Sequence, residues 1–235
     1  MPGKEFGPRK VYLSIVEGTL RQKVDAQTKN AVAREYEMNK NGVKVKAIKH
    51  ELIFMEWGGI IKDIRIKDTE YGQVCEVEYK DAIITIPTES RYFQDFVQKV
   101  MSANLAQTIS FHPYDFEGDD GKQQKGVSME QNGKKLTREY YYDKTEKKSL
   151  HGFPQPVGDT KKYTKDDWKI YFLTLKKFLI GELETLSFDQ APAESYEVPT
   201  EPGEIDNSPI RDDEIIGYKK PENTEDEVRL EDVPF

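Results

Sequence analysis

The chain changes character near Phe188, and that break limits how much of it can fold. Residues 189–235 carry fifteen acidic residues against Arg211, Lys219, Lys220 and Arg229, a net charge of −11, together with half of the chain's 12 prolines. Such a segment shows no apolar period of 2 or 3.6 and too little apolar surface to offset its chain entropy, so a disordered acidic tail is expected. The whole chain sums to −8, which leaves +3 for residues 1–188. That body is rich in Tyr, Phe, Ile and Val and is long enough to bury well over half of its unfolded-chain surface in one core. A slightly basic body with an acidic appendage fits a surface for polyanions and a tail able to compete for it.

Several classes are set aside early. No run approaches the roughly 20 apolar residues that span a bilayer. The opening MPGKEFGPRK lacks the apolar stretch of a signal peptide. A cytoplasmic chain with no membrane partner is therefore expected. Cys75, the one cysteine, excludes an intramolecular disulfide and a cysteine-cluster zinc site; its expected role is that of a small buried hydrophobe.

Residue periodicity then orders the body. A first strand is expected over 10–24 with an irregularity at Gly18, and a second over 43–56. Gly58-Gly59 permits a bend, after which Ile60, Lys62, Ile64 and Ile66 alternate with Ile61, Asp63, Arg65 and Lys67. DTEYG reads as a turn, and QVCEVEYK continues into AIITIP, with Cys75, Val77 and Tyr79 on one side. The period then changes to a helical one: capped by Thr88, residues 89–105 place Tyr92, Phe93, Phe96, Val97, Val100 and Met101 on one stripe. Strand character returns in QTISFHPYDF, and again in a hairpin where GVSMEQ and KKLTREYYY flank Asn132-Gly133. A last, amphipathic helix over 165–186 is announced by Thr164 with Asp167 three residues on.

Three strand regions, a helix, two strand regions and an appended helix are the order of an OB-fold: a mainly β five-stranded Greek-key barrel with a helix between strands 3 and 4. In that fold one sheet face and its flanking loops hold oligonucleotides. An unpaired strand offers flat bases and a charged backbone, so its site needs aromatic platforms interleaved with Lys and Arg. Lys44 and Lys46 share one face of the second strand, Arg65 and Lys67 one face of the next, with Trp57 at the bend and Tyr71 in the following turn. On the hairpin side stand Lys122, Lys125, Lys134, Lys135 and Arg138, just before Tyr140, Tyr141 and Tyr142. Strand alternation would put Tyr141 opposite its two neighbours, so one of the three is expected at the surface, and Tyr141 is taken as a platform. Phe54, Tyr79 and Phe111 are expected in the core, and Trp57 is left open between core and platform.

Glu231, Asp232, Val233, Pro234 and Phe235 form a further feature, a few acids followed by an apolar residue, Pro and a terminal Phe. This tip resembles that of bacterial single-stranded-DNA-binding proteins, and the stretch from Lys67 to Phe93 is similar, more loosely, to phage proteins of the same kind. The resemblance implies protection of single-stranded DNA during replication, recombination and repair, in the cytoplasm of a bacterial or phage-infected cell. It also implies partners such as a polymerase, primase or helicase. Physically, a terminal Phe supplies a ring for an apolar pocket and a carboxylate for an Arg, and Pro234 restricts the residue before it.

An enzyme is not expected. His50, His112 and His151 stand apart without a catalytic motif, no cofactor is implied, and Asp115, Glu117, Asp119 and Asp120 read as a solvated loop, not a metal site. A protein-interaction adaptor with a DNA-mimicking tail is the alternative. The helix over 165–186 leaves open whether the chain forms a homo-oligomer. If the tail competes for the basic surface, deleting residues 189–235 tightens binding to labelled oligothymidylate at low salt; equal or weaker binding in a titration counts against that competition.

Overall fold

The computed structural model describes residues 10–40, 43–119 and 121–188. The acidic tail and its tip, Glu231 to Phe235, lie outside the described residues.

Eight strands precede the first helix: β1 (Val11–Val16), β2 (Thr19–Val24), β3 (Val32–Lys40), β4 (Val43–Phe54), β5 (Trp57–Ile60), β6 (Asp63–Thr69), β7 (Gly72–Glu78) and β8 (Ala82–Pro87). Helix α1 (Arg91–Val100) follows, then β9 (Thr108–Glu117), β10 (Gln123–Gln131), the short β11 (Lys134–Lys135), β12 (Tyr142–Asp143) and β13 (Lys148–Ser149), and α2 (Lys165–Glu184). The strands form a seven-stranded sheet in the order β3-β4-β2-β1-β8-β7-β6, a four-stranded sheet β11-β10-β9-β5, and the pair β12-β13. β1 lies parallel to β8, so the large sheet is mixed.

The body is mainly β with two helices, as expected. Its strands do not form the single closed five-stranded barrel, however, because turns subdivide stretches that alternation alone reads as continuous. Residues 10–24 are a hairpin, with Glu17 and Gly18 both at positive φ (49° and 70°), the left-handed pair that a right-twisted two-residue turn requires. Gly18 is also needed for space, since a Cβ there would lie 2.4 Å from the Asp115 nitrogen. Likewise 73–87 folds back between β7 and β8. The Asn132-Gly133 turn forms with both residues at positive φ, but only Lys134 and Lys135 pair beyond it. The Arg138 carbonyl instead accepts from the Tyr141 and Tyr142 N–H groups in a turn. β3, with Arg34, Glu35 and Glu37 interrupting its apolar residues, was not expected as a strand.

Helix α1 has the expected buried stripe of Tyr92, Phe93, Phe96, Val97 and Val100, with Met101 partly buried against it. Its cap is Ser90, which accepts from the Phe93 N–H at 3.2 Å; Thr88 is buried and donates to the Gln73 carbonyl. The capping box of α2 between Thr164 and Asp167 forms as expected. That helix is less one-sided than expected: Leu175, Leu179 and Leu183 are buried, while Ile170 and Leu173 stay exposed. Cys75, Tyr79 and Phe111 are fully buried, and burial pushes the Cys75 thiol up to about 12. No helix among the described residues is long and apolar enough to cross a membrane.

A buried carboxylate locks α1 to the free side of β10. Asp95 accepts from the Val127 N–H at 2.7 Å and from Lys99 at 2.9 Å, and Lys99 donates onward to the Val127 carbonyl at 2.5 Å. Arg138 closes the cluster at 3.0 Å. Burial opposes the charge on Asp95, but Arg138, Lys99 and the Val127 N–H outweigh it and hold the carboxyl below its ordinary 3.8. Gly126 is required beside it, because a Cβ would sit 2.5 Å from the Asp95 carboxylate. Asp95→Ala should cost about 3 kcal/mol in urea unfolding at neutral pH, the low end for a broken buried pair because Arg138 can rehydrate. Since the folded pKa is depressed, this contribution is complete well above pH 3.8 and is lost as pH falls through the folded value. The wild-type and variant midpoints should therefore converge in acid.

Candidate nucleic-acid interface

Successive rows across the large sheet show that it is two-faced. The row Leu52, Gln22, Leu13, Ile84, Val77 and Ile64 looks into the core. The neighbouring row Ile53, Arg21, Ser14, Thr85, Glu76 and Arg65 must look the other way. By the same parity the outer face carries Tyr12, Lys23, Arg34, Tyr36, Lys49, Glu51 and Lys67.

Three tyrosines rise from this face or its rim. Tyr12 on β1 is 63% exposed, and Tyr71 at the tip of the β6–β7 hairpin is 91% exposed. Tyr36 on β3 has the Lys49 ammonium 4.3 Å from its ring centroid. The Tyr71 hydroxyl is raised by its hydrogen bond and charge interaction with Glu70, and to a smaller degree by Tyr36. The β6–β7 tip and β3 stand at opposite flanks of the ladder.

Two ion-pair clusters hold the arginines of this face together with Lys10 and Lys67. Glu51 accepts from Arg34 at 2.8 and 2.7 Å and from Arg21 at 3.2 Å. The Arg34 hydrogen bonds, opposed by burial and helped by Arg21, hold Glu51 below the usual carboxylate range. On the other flank Glu76 accepts from Arg65 at 3.0 Å and Lys67 at 3.2 Å, Arg65 also reaches Asp63 and Glu78, and Lys10 pairs with Glu78.

Of the residues singled out from sequence, Arg65, Lys67 and Tyr71 come together here. Lys44 and Lys46 lie on the opposite side of the β3–β4 ribbon, paired with Glu37 and Glu35 at 3.5 and 3.7 Å. Trp57 packs against the core, edge-on to Phe54 at 5.4 Å. Lys122 and Lys125 stand at one end of β10 and Lys134 and Lys135 at the other, roughly 17 to 30 Å apart along the strand. Lys125 is tied to Asp115 at 3.0 Å and lies over the Tyr92 ring. Arg138 is tied to Asp95.

Tyr141 is not a platform. It is 2% exposed, packs against Phe153 and Phe178, and donates its hydroxyl to Glu182 at 3.1 Å. Strand alternation does not hold there because Tyr140 and Tyr141 sit in a turn ahead of β12; Tyr140 instead stacks on His151 at 4.1 Å.

Sequence reasoning missed Tyr12, Arg21, Lys23, Arg34, Tyr36 and Lys49. Tyr12 could have been found from VYLSIV, where it alternates against Leu13. Among the described residues no group of three or more His, Cys, Asp or Glu is placed to hold a metal ion. Compared with family models, curated proteins and solved structures, the chain matches none of them.

Proposed function

We propose that the outer face of the large sheet binds single-stranded nucleic acid, DNA in the first place. On this reading the chain is a binding protein, not an enzyme, serving replication, recombination and repair in the cytoplasm of a bacterial or phage-infected cell. One observation carries the reading: Tyr12, Tyr36 and Tyr71 stand on one face of the large sheet or at its rim with Arg21, Lys23, Arg34, Lys49, Arg65 and Lys67, while the reverse of β1, β2, β6 and β7 is core. Exposed rings can stack on splayed bases irrespective of sequence, and cations on the same face can meet the backbone. A duplex hides its base faces and cannot use the rings, so the surface favours single strands.

The OB-type reading of the scaffold belongs to the same proposal. Its support is the continuous stretch Val43–Thr69, in which β4 pairs with β2, β5 with β9 and β6 with β7. One long bent strand thus serves both sheets, as the first strand of an OB barrel does, and α1 follows directly on β8. The tip Glu231–Phe235 would recruit replication and recombination proteins, as its resemblance implies.

A fluorescein-labelled oligothymidylate titrated with the full chain tests the reading. The wild type should bind it at low salt and weaken steeply as salt rises, with duplex of equal length binding more weakly. Tyr12→Ala and Tyr36→Ala should each weaken single-strand binding by about tenfold, within the roughly 1–3 kcal/mol expected per stacked base, without altering the thermal midpoint by more than a few degrees. Equal affinity for duplex, or indifference to both substitutions, overturns it; no binding at all favours the adaptor.

A further inference from the structure

Glu51 is an unexpected group to find on a surface for polyanions. Its side chain is only 5% exposed, yet it lies on the outer face between Lys23 and Val32. Counted as charge alone, it weakens attraction for phosphate. Its geometry does something else. Arg34 grips both carboxylate oxygens through Nε and Nη2, and Arg21 adds Nη1. Arg21 is fixed from its other nitrogens as well, with Nε on the Thr19 hydroxyl at 3.1 Å and Nη2 on Glu17 at 3.0 Å. An arginine loose in solvent loses rotamer freedom when it docks on phosphate, whereas these two have lost it already. Each guanidinium carries five N–H donors, so Arg34 keeps donors beyond the two nitrogens turned to Glu51.

The two flanks differ in charge. Arg21, Lys23, Arg34 and Lys49 face Glu17 and Glu51, an excess of two positive charges. Lys10, Arg65 and Lys67 face Asp63, Glu76 and Glu78, a balance. Backbone phosphate is therefore drawn to the β2–β3–β4 flank.

Resting on the nucleic-acid reading of this face, we infer that Glu51 is a positioning residue: it holds Arg34 as a fixed guanidinium on which a phosphate of the bound strand docks, with Arg21, 11% exposed, braced against the same carboxylate. The alternative role, a mere counter-charge, predicts the opposite sign. Removing a counter-charge strengthens binding to a polyanion, whereas removing a positioning group weakens it.

Glu51→Gln in the full chain, titrated against labelled oligothymidylate at several salt concentrations, separates the two. Positioning predicts about tenfold weaker binding and a shallower dependence of log K on log salt, by about 0.7 for each phosphate that Arg34 no longer neutralises. Arg34→Lys keeps the charge and Glu51 but loses the two-pronged grip, and should weaken binding to a similar degree; it carries the test if Glu51→Gln fails to fold. Tighter binding by a folded Glu51→Gln chain, or unchanged binding by Arg34→Lys, overturns the inference while leaving the nucleic-acid reading in place. Failure of the wild-type chain to bind overturns both.

Discussion

The register of the large sheet decides which residues the molecule presents. A slip of one residue between β1 and its neighbours would exchange Leu13 and Ile15 for Tyr12 and Ser14, burying a phenol and exposing core. Tight turns fix most of this register: Glu17-Gly18 joins β1 to β2, Thr69 to Gly72 joins β6 to β7, and Lys80-Asp81 joins β7 to β8. The parallel contact of β1 with β8 has no local turn. It is set by the Val11 N–H on the Asp81 carbonyl at 2.8 Å, and by core residues such as Leu13 and Ile84 that must face the same way. Long-range packing thus settles the one pairing that joins the two halves of the sheet.

How much of this was legible depends on what each residue pattern could say. Alternation in 73–79 separated Cys75, Val77 and Tyr79 from Val74, Glu76 and Glu78, as the core requires. The stripe of α1 and the Thr164–Asp167 box were equally plain, because both are local signals. Alternation does not report where a strand turns back, so residues 10–24 read as one strand when Glu17-Gly18 divides them. Nor does it apply outside strands, which is why Tyr141 was expected at the surface and lies beneath α2. β3 escaped notice because Arg34, Glu35 and Glu37 give it no apolar period; much of its length is exposed, and β4 is its one ladder partner among the described residues. The residues missed from the candidate site follow from these failures, since Arg34 and Tyr36 belong to that strand and Tyr12 shares its sheet face with them.

The arginines of the outer face are held in place by carboxylates of the same face. Exposed ion pairs contribute little to stability, and even buried ones often do no better than an apolar replacement. Glu51 and Glu76 are nearly buried and each holds two cations, so they are better understood as fixing geometry than as strengthening the fold. Stability is supplied elsewhere, by the apolar rows on the reverse of the same strands and by the Asp95 lock between α1 and β10.

That division bears on how the surface moves. β4 pairs with β2 only from His50 to Phe54, and before that point its sole ladder partner among the described residues is β3. A two-stranded ribbon of this kind is marginal by itself in water, and Ile48, Met38 and Val43 on it remain exposed. Its local opening therefore costs less than that of the body, while Arg34 and Glu51 anchor its base to the sheet. Tyr36 sits beyond that anchor and Tyr71 at a hairpin tip across the face, whereas Tyr12 stands on a central strand. Of the three rings, two are carried by a two-stranded ribbon or a hairpin tip and one by a strand in the middle of the sheet. On the nucleic-acid reading proposed above, such a surface would fix phosphates through its arginines and leave the fit to the bases to its less firmly anchored elements, which suits a ligand whose backbone is regular and whose bases are not.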